Sequence, residues 1–158
     1  MADPFGLQRF VDAQRDAYDA ALAEVRGGRK RGHWMWFVFP QIDGLGSSPT
    51  ARYYAIASLG EAQAYLAHPL LGARLVEIVD ALQTLSATRA DDVFGGIDAM
   101  KLRSSLTLFA AAGGPPVIGA ALRRWFGQGD AATLDLLDRA RGLASTGPRG
   151  VSRSSGTP

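Results

Sequence analysis

Two short segments carry most of the side chains that could bind a ligand or take part in a reaction. The first covers residues 26–36 (RGGRKRGHWMW) and combines four cations with glycines, His33 and Trp34. Glycines beside cations can present backbone N–H groups and positive charge to an anion. The segment has no GxxxxGK[ST] pattern, so it is not a phosphate loop of the ATPase kind. A solvated basic turn after a helix and an anion contact therefore both remain open.

The second segment covers residues 101–107 (KLRSSLT), where Lys101, Ser104 and Ser105 fall within one helical turn. A lysine beside serine hydroxyls can bind an anion or activate a nucleophile. The order of these residues is the reverse of the S-x-x-K motif, and serines that bond to the preceding turn of their own helix are commoner. Asp98 and Lys101 are spaced as a helix ion pair. No Ser/His/Asp order or paired-carboxylate pattern is present, so catalytic residues are not assigned, and whether the chain is an enzyme stays open.

Composition excludes several classes of site. The 158 residues contain no cysteine, which excludes disulfides, thiolate-bound metals and thiol catalysis. Neither His33 nor His68 has a histidine or carboxylate three or four positions away, so we expect no metal site and no cofactor. No apolar run reaches the roughly 18 residues of a transmembrane helix. We therefore expect a cytoplasmic protein without membrane association.

Net charge argues against nucleic acid as a partner. The formal charge is +2, but residues 142–158 carry Arg149 and Arg153 and no acid, so the remaining chain is neutral. A neutral body lacks the broad basic face that binds a phosphate backbone. Nucleic-acid binding is therefore not expected, although a local basic patch is compatible with this composition.

Helix signals separated by Gly and Pro predict an all-α fold. Apolar spacing predicts one helix from Leu7 to Val25, and further helices are predicted after Ser48, Ser58, His68, Thr88, Pro116 and Asp130 and over 100–112. We predict a compact, irregular multi-helix domain over residues 1–141, different from a simple four-helix bundle. Residues 142–158 are rich in Gly, Ser and Thr, which predicts a disordered tail.

The bulky run at residues 34–39 has the composition of a strand, but a single strand has no partner in a helical chain. A buried helical turn or an extended core segment is therefore predicted. Six bulky residues cannot all face one way. We expect Trp36, Phe37 and Phe39 in the core, and His33 and Trp34 at the border of a cavity that begins at the turn over 28–32.

These motifs also resemble a known family. Residues 32–41 (GHWMWFVFPQ), 61–72 (EAQAYLAHPLLG) and 101–109 (KLRSSLTLF) are similar to the bacterial domain-of-unknown-function family 1810, and the resemblance extends over about residues 3–140. Gly32 and Leu106 depart from the serine and methionine expected there. The resemblance implies a compact, mostly helical fold without an established activity. Members often carry the label calpastatin, which this composition contradicts, because calpastatin is long, repetitive and disordered.

Polar residues within the region of resemblance lead to the functional hypothesis. They are His33, Gln41, Ser48, Arg52, His68, Lys101, Ser104 and Ser105. With Trp34 as one wall, they predict a pocket for a small anionic or nucleotide-like ligand, in which His33, His68, Lys101 and Ser104 share one cleft. The alternative is a non-enzymatic protein-interaction module or small regulator, whose protein partner the sequence does not identify.

Overall fold

The computed structural model describes residues 2–140, and within this range the chain forms ten helices and no strand. The helices are α1 (Gln8–Gln14), α2 (Tyr18–Arg26), α3 (Met35–Val38), α4 (Pro49–Tyr53), α5 (Leu59–Ala67), α6 (Leu71–Gln83), α7 (Ala90–Phe94), α8 (Gly96–Ala111), α9 (Pro116–Phe126) and α10 (131–140). The predicted all-α fold class is confirmed. The predicted tail lies outside the described residues. None of the described helices combines the length and the apolar character needed to cross a bilayer.

The first amphipathic stretch forms two helices rather than one. α1 ends at Gln14 and α2 begins at Tyr18. α1 packs against α3, whereas α2 packs against α6. The buried Gln14 side chain also donates a hydrogen bond to the Phe37 carbonyl, at 2.7 Å. The prediction of one helix from Leu7 to Val25 was wrong, because two packing partners require a change of direction that apolar spacing does not reveal.

Local capping interactions fix the starts of four helices. The Ser48 and Ser58 hydroxyls each accept a hydrogen bond from the backbone N–H three residues later, at 3.1 Å. His68 Nδ1 accepts from two N–H groups at the start of α6, at 3.1 and 3.2 Å. Asp130 Oδ2 accepts from one at the start of α10, at 2.9 Å. These helix starts are confirmed, whereas α7 begins without a side-chain cap.

α8 is the central helix of the described chain. It contacts α3, α5, α7 and α9, and its residues 104–109 are all buried. It begins at Gly96, four residues before the predicted start. Its first two turns, which carry Asp98 and Lys101, are less buried than the rest. The part of α8 that carries Asp98 and Lys101 therefore lies at the edge of the core.

The aromatic segment forms the single helical turn α3, one of the two predicted alternatives. Trp34 and Phe39 are buried, whereas Trp36 and Phe37 are half-buried. Phe39 is buried, as predicted. Trp34 was predicted at the border of a cavity but is buried, and Trp36 was predicted in the core but is half-buried, so both of these predictions were wrong. With 3.6 residues per helical turn, positions 34, 35 and 38 share the inner face, so position 36 points away from it.

Candidate functional site

An open cleft lies between α3, the loop that follows it, the start of α8 and the start of α10. Its volume is about 360 Å³, and it is termed the Trp36 cleft. It is lined by Trp36, Gln41, Leu45, Gly46, Ile97, Met100, Lys101, Ser104, Asp130 and Ala132. Ile97 and Met100 are 74% and 71% exposed. The cleft therefore offers apolar side chains to solvent beside a few polar groups.

A short backbone pairing holds the loop that follows α3. The Ile56 N–H donates to the Gln41 carbonyl, and the Asp43 N–H donates to the Ile56 carbonyl, each at 2.8 Å. The loop also approaches α4 closely, because a Cβ placed on Gly46 would lie 2.7 Å from the Ala51 Cβ. These contacts fix the loop and leave Gln41 in the wall of the cleft.

Lys101 is positioned by an aromatic ring and a shared carboxylate. Its Nζ lies 3.7 Å from the centroid of the Trp36 ring and 3.4 Å from Asp98 Oδ1. Asp98 Oδ2 lies 2.8 Å from Nζ of Lys30, whose side chain is 7% exposed. Since Asp98 is shared with Lys30, it offsets only part of the positive charge that Lys101 brings to the cleft. The predicted Asp98–Lys101 helix pair is confirmed.

Asp130 brings a carboxylate to the same cleft. Its Oδ2 accepts hydrogen bonds from the N–H and hydroxyl of Thr133, at 2.9 and 2.7 Å, and from the Ser104 hydroxyl at 3.4 Å. The Arg103 guanidinium donates to the carbonyls of residues 128 and 129, at 3.1 and 3.2 Å. These bonds fix the loop before α10 against α8. The sequence identified Asp130 only as a cap, and no local pattern links it to Lys101.

Only some of the predicted site residues meet in the cleft. Gln41, Lys101 and Ser104 line it. Six others are absent from the described lining: His33 and Arg52 are exposed, Ser48 and His68 cap helices, and Trp34 and Ser105 are buried. The cleft therefore does not unite the two histidines with Lys101 and Ser104.

The basic turn after α2 is occupied by a carboxylate of the chain itself. Glu24 Oε1 accepts hydrogen bonds from the Arg31 N–H, the Gly32 N–H and the Trp34 indole, at 2.7, 2.9 and 2.9 Å. Partial burial acts to raise the pKa of Glu24, but these hydrogen bonds and nearby Lys30 hold it below its ordinary value. Trp34 is thus a core residue tied to α2, and Trp36 takes the place in a pocket wall that was predicted for Trp34.

The two serines of α8 have structural surroundings. The Ser104 hydroxyl donates to the Met100 carbonyl at 3.1 Å, as serines in helices commonly do. The Ser105 hydroxyl is buried without a hydrogen-bond partner among the described residues. Within residues 2–140, no group of three or more His, Asp or Glu side chains is placed to hold a metal ion.

Comparison with known proteins gives one family and one solved relative. The family described as "Protein of unknown function (DUF1810)" matches residues 4–137. The crystal structure of the conserved hypothetical protein Rv1873 from Mycobacterium tuberculosis is similar, with 50% sequence identity and a TM-score of 0.84. That match covers 86% of this chain and 99% of the other. No curated protein matches this sequence. This chain therefore belongs to the DUF1810 family of proteins of unknown function.

Proposed function

We propose that this protein binds a small nucleotide-like ligand in the Trp36 cleft. The observation that carries the proposal is the position of Lys101, whose ammonium group is held against Trp36 in a cleft with largely apolar walls. Such walls pack against a ring system, while a lysine attracts an anionic group of the same ligand. Nucleotides combine these two features in one molecule.

The size of the cleft supports a ligand with a single ring system. Its volume of about 360 Å³ lies near the lower end of the roughly 300–1,000 Å³ found for ligand pockets. This space suits a mononucleotide better than a dinucleotide. A ring that enters the cleft would also cover Ile97 and Met100, which removes exposed apolar surface from water.

The charges in the cleft favour such a ligand over a simple inorganic anion. Lys101 attracts negative charge, but the Asp130 carboxylate lines the same cleft. A bare phosphate would be attracted by Lys101 and repelled by Asp130. A ligand that carries its charge at one end and a neutral polar ring at the other can satisfy both residues.

The test is calorimetric titration with mononucleotides, together with the thermal-unfolding midpoint. A ligand at about 100 times its dissociation constant adds about 2.7 kcal/mol to stability. We expect Lys101→Met to weaken binding by about tenfold or more, because it removes the cation but keeps the apolar stem. Arg52→Met is the matched control, since Arg52 is exposed and outside the cleft lining. Equal losses in both variants, or no binding of any mononucleotide, would contradict the proposal.

A protein-interaction module is the second candidate function. It is favoured by the exposure of Ile97 and Met100, two large apolar side chains one helical turn apart on α8. A partner would bury both side chains at once. If this candidate function is correct, a purified partner protein binds the wild-type chain but not the double variant Ile97→Glu and Met100→Glu. In that case no mononucleotide shifts the unfolding midpoint of the wild-type protein.

A further inference from the structure

We propose that the ring bound in the Trp36 cleft carries a 2-amino-4-oxopyrimidine edge, as in guanine or a pterin, and that Asp130 recognises this edge. The inference rests on the proposed function and specifies its ligand class. It follows from the hydrogen-bonding capacity that Asp130 retains at the cleft.

Asp130 has one oxygen committed to the fold and one available. Oδ2 accepts all three hydrogen bonds, two from Thr133 and one from Ser104. Oδ1 has no hydrogen-bond partner among the described residues, although Asp130 lines the cleft. An ionised carboxylate only accepts hydrogen bonds. The ligand group opposite Oδ1 must therefore be a donor.

The position of this oxygen is set before a ligand arrives. Arg103 holds the preceding loop through two carbonyl groups, and the Asp130 N–H donates to the Thr107 hydroxyl at 2.9 Å. Thr107 and Ser104 both lie in the central helix α8. A preorganised acceptor discriminates strongly between ligands, because a wrong ligand leaves it desolvated and unpaired.

The edges of the common rings differ in what they offer to such an acceptor. Guanine and pterins present a ring N–H and an adjacent amino group, which are two neighbouring donors. Adenine and cytosine present one amino group beside a ring nitrogen that accepts, and uracil presents one N–H between two carbonyls. An acceptor that faces a carboxylate is repelled. Only the 2-amino-4-oxopyrimidine edge offers two donors side by side, and the two lone pairs of Oδ1 can accept from both of them.

The remaining polar groups of the cleft can bind the other polar atoms of such a ligand. Trp36 and Gln41 line the cleft, and neither the indole N–H nor the side-chain amide has a hydrogen-bond partner within residues 2–140. Both can donate to a ring carbonyl. Lys101 is then left for the anionic part of the ligand, as the proposed function requires.

The first experiment compares ligands that differ at this edge. Calorimetry compares guanosine monophosphate, inosine monophosphate, adenosine monophosphate and pterin-6-carboxylate. The inosine nucleotide isolates the contribution of the 2-amino group to affinity, since it lacks only that group of guanosine. We expect guanosine monophosphate or the pterin to bind at least about tenfold more tightly than the inosine and adenosine nucleotides. Tight binding of the pterin alone, or of the guanosine nucleotide alone, identifies the source of the shared edge.

The second experiment changes Asp130 without removing the helix cap. Asn and Ser both cap helices well, so Asp130→Asn and Asp130→Ser keep an acceptor for Thr133. We expect each variant to lose the preference for guanine or pterin over inosine and adenosine rings, with unfolding midpoints close to wild type. Asp130→Asn also places a donor at the cleft, which should weaken binding of the guanine edge further than Asp130→Ser does.

Two outcomes overturn the inference in distinguishable ways. If the nucleotides bind equally and both Asp130 variants leave affinity unchanged, Asp130 does not recognise the ring, although the proposed function stands as long as Lys101→Met weakens binding. Tighter binding of the adenosine nucleotide than of the guanosine nucleotide would also show that Asp130 does not recognise the ring as proposed. If no nucleotide or pterin binds to the wild-type chain, the proposed function and this inference both fail.

Discussion

Trp34 and Trp36 are two residues apart but contact different parts of the molecule. Trp34 packs against Phe39 and Phe94, with ring centroids at 6.2 and 6.3 Å, and donates to Glu24. Trp36 is half-buried and holds Lys101 at the cleft. One residue therefore supports the core and the other supports the proposed site.

This difference predicts that two alanine substitutions affect stability and binding to different extents. Trp34→Ala should lower the free energy of unfolding by about 3–5 kcal/mol, because it empties a core position. Trp36→Ala should cost less than half as much, but it should weaken nucleotide binding because Lys101 loses its aromatic support. Urea denaturation and calorimetry measure the two effects. Equal destabilisation by the two substitutions would show that Trp36 is also a core residue.

The sequence could not distinguish these two tryptophans. All six residues from 34 to 39 are bulky and apolar, so the run contains no polar position from which a helical period could be read. The polar residues selected from the sequence were informative about the cleft only in part. Lys101, Ser104 and Gln41 were selected from the sequence, and all three line the cleft.

At the scale of helices, α5 and α6 approach each other through Gly72. A Cβ on Gly72 would lie 2.1 Å from the backbone oxygen of Leu66, which has no freedom to move aside. Gly72→Ala should therefore lower the free energy of unfolding by about 3 kcal/mol or more. Gly96→Ala is the matched control, because a Cβ there meets nothing within 4 Å at the start of α8. It should stabilise by up to about 1 kcal/mol. Thermal unfolding of both variants checks the pair, and similar shifts would contradict it.

The turn after α2 depends on the ionisation of Glu24. Its pKa is held below the ordinary value in the folded chain, despite partial burial, by hydrogen bonds from Gly32, Arg31 and Trp34. A lowered folded pKa contributes stability that is present above the unfolded pKa of about 4.3 and is lost as pH falls through the folded value. Glu24→Gln should therefore be less stable than wild type at pH 7, and the difference should shrink below pH 4. Urea denaturation at pH 7 and pH 3 tests this, and a constant difference would argue against the assigned role.

Helix starts were predictable where a single residue controls them. Ser48, Ser58, His68 and Asp130 each accept backbone N–H groups within three residues, so the information is local. The break between α1 and α2 was not predictable, because it depends on which distant helix each segment meets. Short-range patterns thus predicted caps, and tertiary packing decided helix lengths.

At the scale of the whole molecule, the cleft combines residues far apart in the sequence. Gln41, Lys101 and Asp130 come from three segments, and their association depends on how α3, α8 and α10 pack. The neutral charge of the chain outside residues 142–158 and the two separated histidines gave no indication of that packing. The site could be predicted only in part, since polar residues with another visible role, such as the cap Asp130, did not stand out.

The sequence also makes a prediction about residues 142–158, which lie outside the described residues. They contain mostly Gly, Ser, Thr, Pro and Arg, with little apolar surface to bury. Removing them should change the free energy of unfolding by less than about 0.5 kcal/mol, and it should also leave nucleotide affinity unchanged. Calorimetry and urea denaturation of the shortened chain provide the measurement. A large loss of stability would show that this segment packs against the helices.

The Asp98 carboxylate forms ion pairs with both Lys30 and Lys101, and this has a practical consequence for work with the protein. These are the only two lysines in the sequence, against 15 arginines. Both lie in ion pairs with Asp98. Reagents directed at ε-amines will therefore modify this one cluster and spare the rest of the cationic surface. Reductive methylation with ¹³C-formaldehyde would place an NMR reporter at the cleft through Lys101, whereas coupling to a sensor chip through Lys101 would consume the same group and block the site under study.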